Sequence, residues 1–109
     1  MAKLETTLQG NFGAWLRTIE EGIVNGSFSA TLEDGSDFLS NGARCSVRVF
    51  ERYSYTGGNR VSMNVTLFQP TPDSPIRLSA ITSGGSQALL FKINTWGEEA
   101  FLDKLRELL

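Results

Sequence analysis

The stretch from Ala43 to Ile93 carries four runs of alternating apolar and polar residues joined by glycine turns, and that pattern leaves few folds open. In Arg44-Cys45-Ser46-Val47-Arg48-Val49-Phe50-Glu51-Arg52-Tyr53 and in Val61-Ser62-Met63-Asn64-Val65-Thr66-Leu67 the period is two, which sends successive side chains to opposite faces of a strand. The expectation is an antiparallel sheet whose remaining elements cover one face. A chain of 109 residues suits a single domain that removes roughly 60 to 70 per cent of its unfolded surface from water.

Ahead of the meander, Leu4, Thr6 and Leu8 alternate with polar residues and predict a short strand ending at Gly10. Asn11 is placed to cap a helix whose stripe is Phe12, Trp15, Leu16, Ile19 and Ile23, ending at Asn25-Gly26. Gly22 on that stripe fits either a close approach to the sheet or simple tolerance. Phe28, Ala30 and Leu32 predict a second strand. Asp34-Gly35 and Asn41-Gly42 both suit a hairpin turn; the turn at Asn41-Gly42, which pairs Phe38 with Cys45, is preferred and leaves Asp34-Gly35-Ser36 as a bulge or kink.

The next loop is read as Gly57-Gly58-Asn59, pairing Tyr55 with Val61 and Tyr53 with Met63. Cys45, Val47, Val49 and Tyr53 then point inward with Val61, Met63, Val65 and Leu67. Leu67 against Ile76 and Val65 against Leu78 leave a proline-rich connection from Phe68 to Pro75. A sixth strand, Leu89, Phe91 and Ile93, returns through Gly84-Gly85 to pair with Ala80, Leu78 and Ile76. Thr95-Trp96-Gly97-Glu98 has the form of a capping box and starts a terminal helix through Ala100, Phe101, Leu102, Leu105, Leu108 and Leu109.

The fold class is therefore α+β: residues 1–109 form one domain, a curved antiparallel sheet of about six strands with two helices, after strand 1 and at the C-terminus, on one face. The element order resembles a reduced helix-grip or TATA-binding-protein-like layout. The segments Arg52-Tyr53-Ser54-Tyr55-Thr56-Gly57-Gly58-Asn59-Arg60, Ser79-Ala80-Ile81-Thr82-Ser83-Gly84-Gly85-Ser86-Gln87 and Phe91-Lys92-Ile93-Asn94-Thr95-Trp96-Gly97-Glu98-Glu99 resemble those of a bacterial family of small uncharacterised proteins. That resemblance runs nearly the full length and implies no activity, cofactor or site.

Chemistry is sparse. The chain has no histidine, so a serine, cysteine or lysine nucleophile lacks the commonest base, and a Cys/His zinc site is excluded. Cys45, the single cysteine, is expected on the inward face as a small inert packing residue. Gly57-Gly58 and Gly84-Gly85 lack a Walker lysine or a strand-to-helix context and read as hairpin turns. Glu33, Asp34 and Asp37 lack EF-hand spacing and read as a solvated acidic loop. A net charge of −2 argues against a general nucleic-acid binder. With no apolar run of signal-peptide or membrane-spanning length, the expectation is a cytoplasmic protein that is not an enzyme, with no metal and no cofactor.

Two candidate sites remain. The uncovered sheet face, expected to carry Arg48, Phe50, Arg52, Phe68 and Arg77, mixes aromatic and arginine side chains as interfaces do, and suits a protein partner or a homodimer. An ordinary solvated face, or single-stranded RNA stacked on Phe50 and Phe68, are the other readings of it; the acidic balance counts against RNA. The second candidate is a cavity between sheet and helices for a small apolar ligand, lined by Trp15, Tyr53, Tyr55, Met63, Trp96 and Phe101. Ordinary core packing is its alternative.

Overall fold

The computed structural model describes residues 1–54, 59–84 and 91–109, with side chains for 1–53, 60–84 and 97–109. Five strands, β1 (Ala2–Leu8), β2 (Thr31–Ser40), β3 (Ala43–Ser54), β4 (Asn59–Gln69) and β5 (Ile76–Gly84), form one sheet in the order β1-β5-β4-β3-β2. Every neighbouring pair is antiparallel. The helices α1 (Phe12–Gly26) and α2 (Phe91–Arg106) both pack on one face.

The first helix forms as its sequence dictates. Asn11 Oδ1 accepts from the Ala14 amide at 2.8 Å, satisfying one of the donors a helix start leaves open. Phe12, Ile19 and Ile23 are buried, Trp15 and Leu16 are half-buried, and the Trp15 indole N–H donates to the Gln9 carbonyl at 2.7 Å. Gly22 marks a close approach not to the sheet but to Leu108, beyond the end of α2: a Cβ there would lie 2.5 Å from the leucine side chain.

The meander begins as expected. Asn41 (φ 50°) and Gly42 (φ 88°) make the two-residue turn, and Phe38 faces Cys45. The bulge lies earlier than predicted, at Glu33 between Leu32 and Asp34, so Glu33, Asp34 and Asp37 belong to a strand and not to a loop. The strand itself begins at Thr31, which leaves Phe28 outside the sheet and exposed.

The β3–β4 register departs from expectation and turns β3 over. Arg52 faces Val61, Phe50 faces Met63, Arg48 faces Val65 and Ser46 faces Leu67. Residues directly opposite share a face, so the even-numbered side of β3 points toward the helices. Phe50 is fully buried, whereas Cys45, Val47 and Val49 are half-buried on the open face and Tyr53 is exposed there. Both alternations of β3 carry apolar side chains; Phe50, the largest of them without a polar atom, takes the interior. The loop expected at Gly57-Gly58-Asn59 falls largely outside the described residues.

Between β4 and β5 the register moves by two, to Leu67 against Leu78 and Val65 against Ala80, which preserves faces. The connection is tighter than predicted: the Ser74 amide donates to the Thr71 carbonyl at 3.0 Å, and Gln69 Nε2 donates to the Ser74 carbonyl at 2.8 Å. The sixth strand does not form as predicted. Leu89 lies outside the described residues, Phe91 and Ile93 lie in α2, and β1 takes the free side of β5, with Leu4 on Ala80 and Leu8 on Ile76. Because α2 starts at Phe91, Glu98 is not a capping residue. It is buried, accepts from the Gly84 amide at 2.9 Å and pairs with the Met1 amine at 3.1 Å.

Candidate interaction face

The residues expected on one surface divide between two. Arg48, Phe50 and Arg52 lie under the helices, while Phe68 and Arg77 lie on the open face, directly opposite one another across β4 and β5. The cavity set does not converge either. Met63 and Phe101 are fully buried core residues, Trp15 packs at the core margin, and Tyr53 is on the far side of the sheet. Tyr55 and the Trp96 side chain lie outside what the structure describes.

The two arginines under the helices have different surroundings. Arg48 Nε donates to Glu20 at 2.7 Å, Nη2 to both oxygens of Asp37 at 3.0 and 3.2 Å, and Nη1 to the carbonyls of Val47 and Ser36 at 2.9 and 3.2 Å. Burial opposes its charge, but the hydrogen bonds it donates to Glu20 and Asp37 outweigh that and raise its pKa. Gly35 lets the guanidinium pass: a Cβ there would lie 2.8 Å from Arg48 Cδ and 2.9 Å from the Val47 carbonyl. Arg52 has no carboxylate partner among the described residues. Its Nη1 donates to Ser27 Oγ at 2.9 Å, its guanidinium carbon lies 4.9 Å from the centre of the Phe101 ring, and its buried Nε has no acceptor among the described residues. Burial lowers its pKa. Both side chains tie β3 to the helices.

Asp37 is held below the ordinary carboxylate pKa, first by the Ser46 hydroxyl at 2.6 Å and then by Arg48. A carboxylate with a lowered folded pKa adds stability above its unfolded value near ~4, and that stability is lost as pH falls through the folded value. Thermal melts of the wild-type protein and Asp37→Asn should therefore differ most at neutral pH and converge as pH falls below the ordinary carboxylate value and through the lowered folded value. A difference that does not change with pH would rule out this role for Asp37.

The open face is built from the other alternation. One row crosses all five strands: Phe38, Cys45, Phe68, Arg77 and Thr7. The next is Ser36, Val47, Thr66, Ser79 and Glu5, and beyond it run Asp34, Val49, Asn64, Ile81 and Lys3. Phe38 is 64 % exposed, and Phe68, Ile81 and Tyr53 are each just over 40 %. A shallow groove of about 250 Å³ lies between Phe68, Arg77, Thr66, Ser79, Glu5 and Thr7. Among the described residues Arg77 has no ion-pair partner, whereas Lys3 pairs with Glu5 at 3.1 Å and Arg60 with Glu51 at 2.9 Å. Phe38, Val47, Val49 and Tyr53 are the face residues that the expected loop length assigned to the wrong side. Cys45 is the correction of most chemical consequence, since its thiol is half-exposed beside Phe38 and Phe68 instead of lying inert in the core.

No helix among the described residues is long and apolar enough to cross a membrane. No curated protein and no solved structure matches the chain. A family of unknown function, DUF6054, matches residues 1–109, and the chain belongs to that family.

Proposed function

We propose that this member of DUF6054 is an interaction module that pairs with a second copy of itself through the open sheet face, acting by binding and not by catalysis. The observation that carries the reading is the row Phe38, Cys45, Phe68, Arg77, which crosses a face that neither helix covers. Contiguous apolar surface rimmed by polar groups is what interfaces bury. Five strands about 4.8 Å apart and roughly seven residues tall give a flat projection of about 550 Å². That approaches the ~600 to 800 Å² per partner of a small stable interface.

Charge also permits self-docking. Lys3, Arg60 and Arg77 are matched on this face by Glu5, Glu51 and Asp34, so two copies meet without a net charge of one sign. We read the layout as a reduced helix-grip and the setting as the bacterial cytoplasm. An apolar-ligand carrier draws no support from side chains that lie on opposite sides of the sheet.

Sedimentation velocity at about 10 to 200 μM should show a concentration-dependent dimer. Phe68→Glu combined with Ile81→Glu should remove it while leaving the melt cooperative, because both side chains are partly in water. A wild-type monomer throughout, or a dimer that survives both substitutions, ends this reading.

A further inference from the structure

Among the described residues nothing pairs with the outer edge of β2 along its whole length. All ten of its residues are exposed, and β3 pairs with it on one side only. Natural edge strands are usually blunted by brevity, charged side chains (lysine above all), proline, bulges or a covering segment. Here there is one bulge, at Glu33, and from Asp34 to Ser40 the strand is regular, with neither proline nor lysine. The opposite edge, β1, carries Lys3 and exposes no large apolar side chain of its own.

The chemistry of the β2 edge is one-sided. Its charged residues are Glu33, Asp34 and Asp37, with no Lys or Arg on the strand. Asp37 is taken by Arg48 and Ser46. Among the described residues the other two have no cation: Glu33 accepts from the Thr31 hydroxyl and Asp34 from the Gly35 amide. At the far end Phe38 is 64 % and Leu39 75 % exposed, on opposite sides of the strand.

We propose that β2 takes up an extended, basic segment of a partner protein as a sixth strand. The added backbone pairs along Asp34 to Ser40, its Lys or Arg side chains meet Asp34 and Glu33, and its apolar side chains meet Phe38 and Leu39. Backbone pairing supplies affinity, and the alternating side chains supply selectivity. A second copy fits worse, because β2 against β2 brings together two strands that each carry Glu33, Asp34 and Asp37 and no cation. This site shares Phe38 and Asp34 with the open-face contact but does not depend on that contact forming.

The test uses the full chain, both wild type and the Phe68→Glu/Ile81→Glu variant, whose β2 is intact. Each is titrated with the capped peptide Thr-Val-Ile-Thr-Thr-Thr-Lys-Lys, which in antiparallel register sets its lysines at Asp34 and Glu33 and apolar residues opposite Leu39 and Phe38. Saturable binding is expected at ~50 mM salt, at least about tenfold weaker at ~0.5 M salt. Amide exchange should slow at alternate residues between Asp34 and Ser40. A peptide with both lysines changed to glutamate, and the protein variant Asp34→Lys, should each weaken binding by about tenfold or more. N-methylation of the peptide on its pairing edge should abolish binding. The proposal is overturned if ~1 mM peptide does not bind. It is equally overturned if the glutamate peptide binds as well, if the exchange changes lie elsewhere, or if β2 amides in the free protein become protected as concentration rises, which would place a second copy on the edge.

Discussion

Phe50→Ala is expected to cost about 3 to 5 kcal/mol of stability, the range for truncating a fully buried aromatic ring. Phe50 is fully buried, opposite Met63 on β4 and Leu32 on β2, beneath the helices. In a domain near this size each kcal/mol moves the melting temperature by about 4 to 8 °C, so the variant should melt far below the wild type or lose its cooperative transition. Phe68→Ala is the internal control. Its ring is 42 % exposed on the other face, and its loss should cost under about 1 kcal/mol. Equal losses in the two variants, measured by thermal or denaturant unfolding, would mean that β3 does not sit in the Phe50–Met63 register.

The second large effect is expected at Arg48. Replacement by Met keeps the apolar length of the side chain but leaves Glu20 and Asp37 without their cation. Breaking a fully buried pair costs about 3 to 5 kcal/mol. Here the Arg48 side chain is 11 % exposed but Glu20 is 30 % and Asp37 63 %, so water screens part of the loss and about 2 kcal/mol is expected. Combining Arg48→Met with Glu20→Gln should be less than additive, since the two share one contact. Arg52→Met should cost less than Arg48→Met: Arg52 has no carboxylate partner among the described residues, and methionine removes a buried Nε that has no acceptor among them. A larger loss at Arg52 than at Arg48 in urea unfolding would contradict this account of the two side chains.

These two residues also explain why the candidate site was only half legible in the sequence. An arginine on a strand ordinarily signals a solvent face, and β3 carries Arg44, Arg48 and Arg52 on one alternation. All three make contacts on the helix side. Arg44 lies 4.3 Å from the centre of the Phe12 ring, Arg48 reaches Glu20, and Arg52 reaches Ser27 and Phe101. The partners come from α1, from the residue after it, and from α2, remote in sequence from β3, so no local pattern announces them. Phe68 and Arg77 were placed correctly because β4 and β5 leave no ambiguity: Val61, Met63, Val65 and Leu67, and Ile76, Leu78 and Ala80, fill a single alternation with buried side chains.

The sequence by itself determined what local chemistry can specify. Asn11 had to start α1 because its side chain caps the Ala14 amide, and Asn41-Gly42 had to turn because both residues take positive φ there. The stripe of α1 and the inward sides of β4 and β5 follow from periodicity. Only the tertiary structure decided which way β3 faces, that β1 and not a sixth strand completes the edge of β5, and that α2 begins at Phe91. The physical reason is the same in each case. Alternation establishes that a strand has two faces, but their sense depends on register, and a shift of one residue reverses it. For β3, where apolar residues occupy both sides, that choice was made by the volume of Phe50 and by charged and aromatic partners that folding brings from α1, β2 and α2.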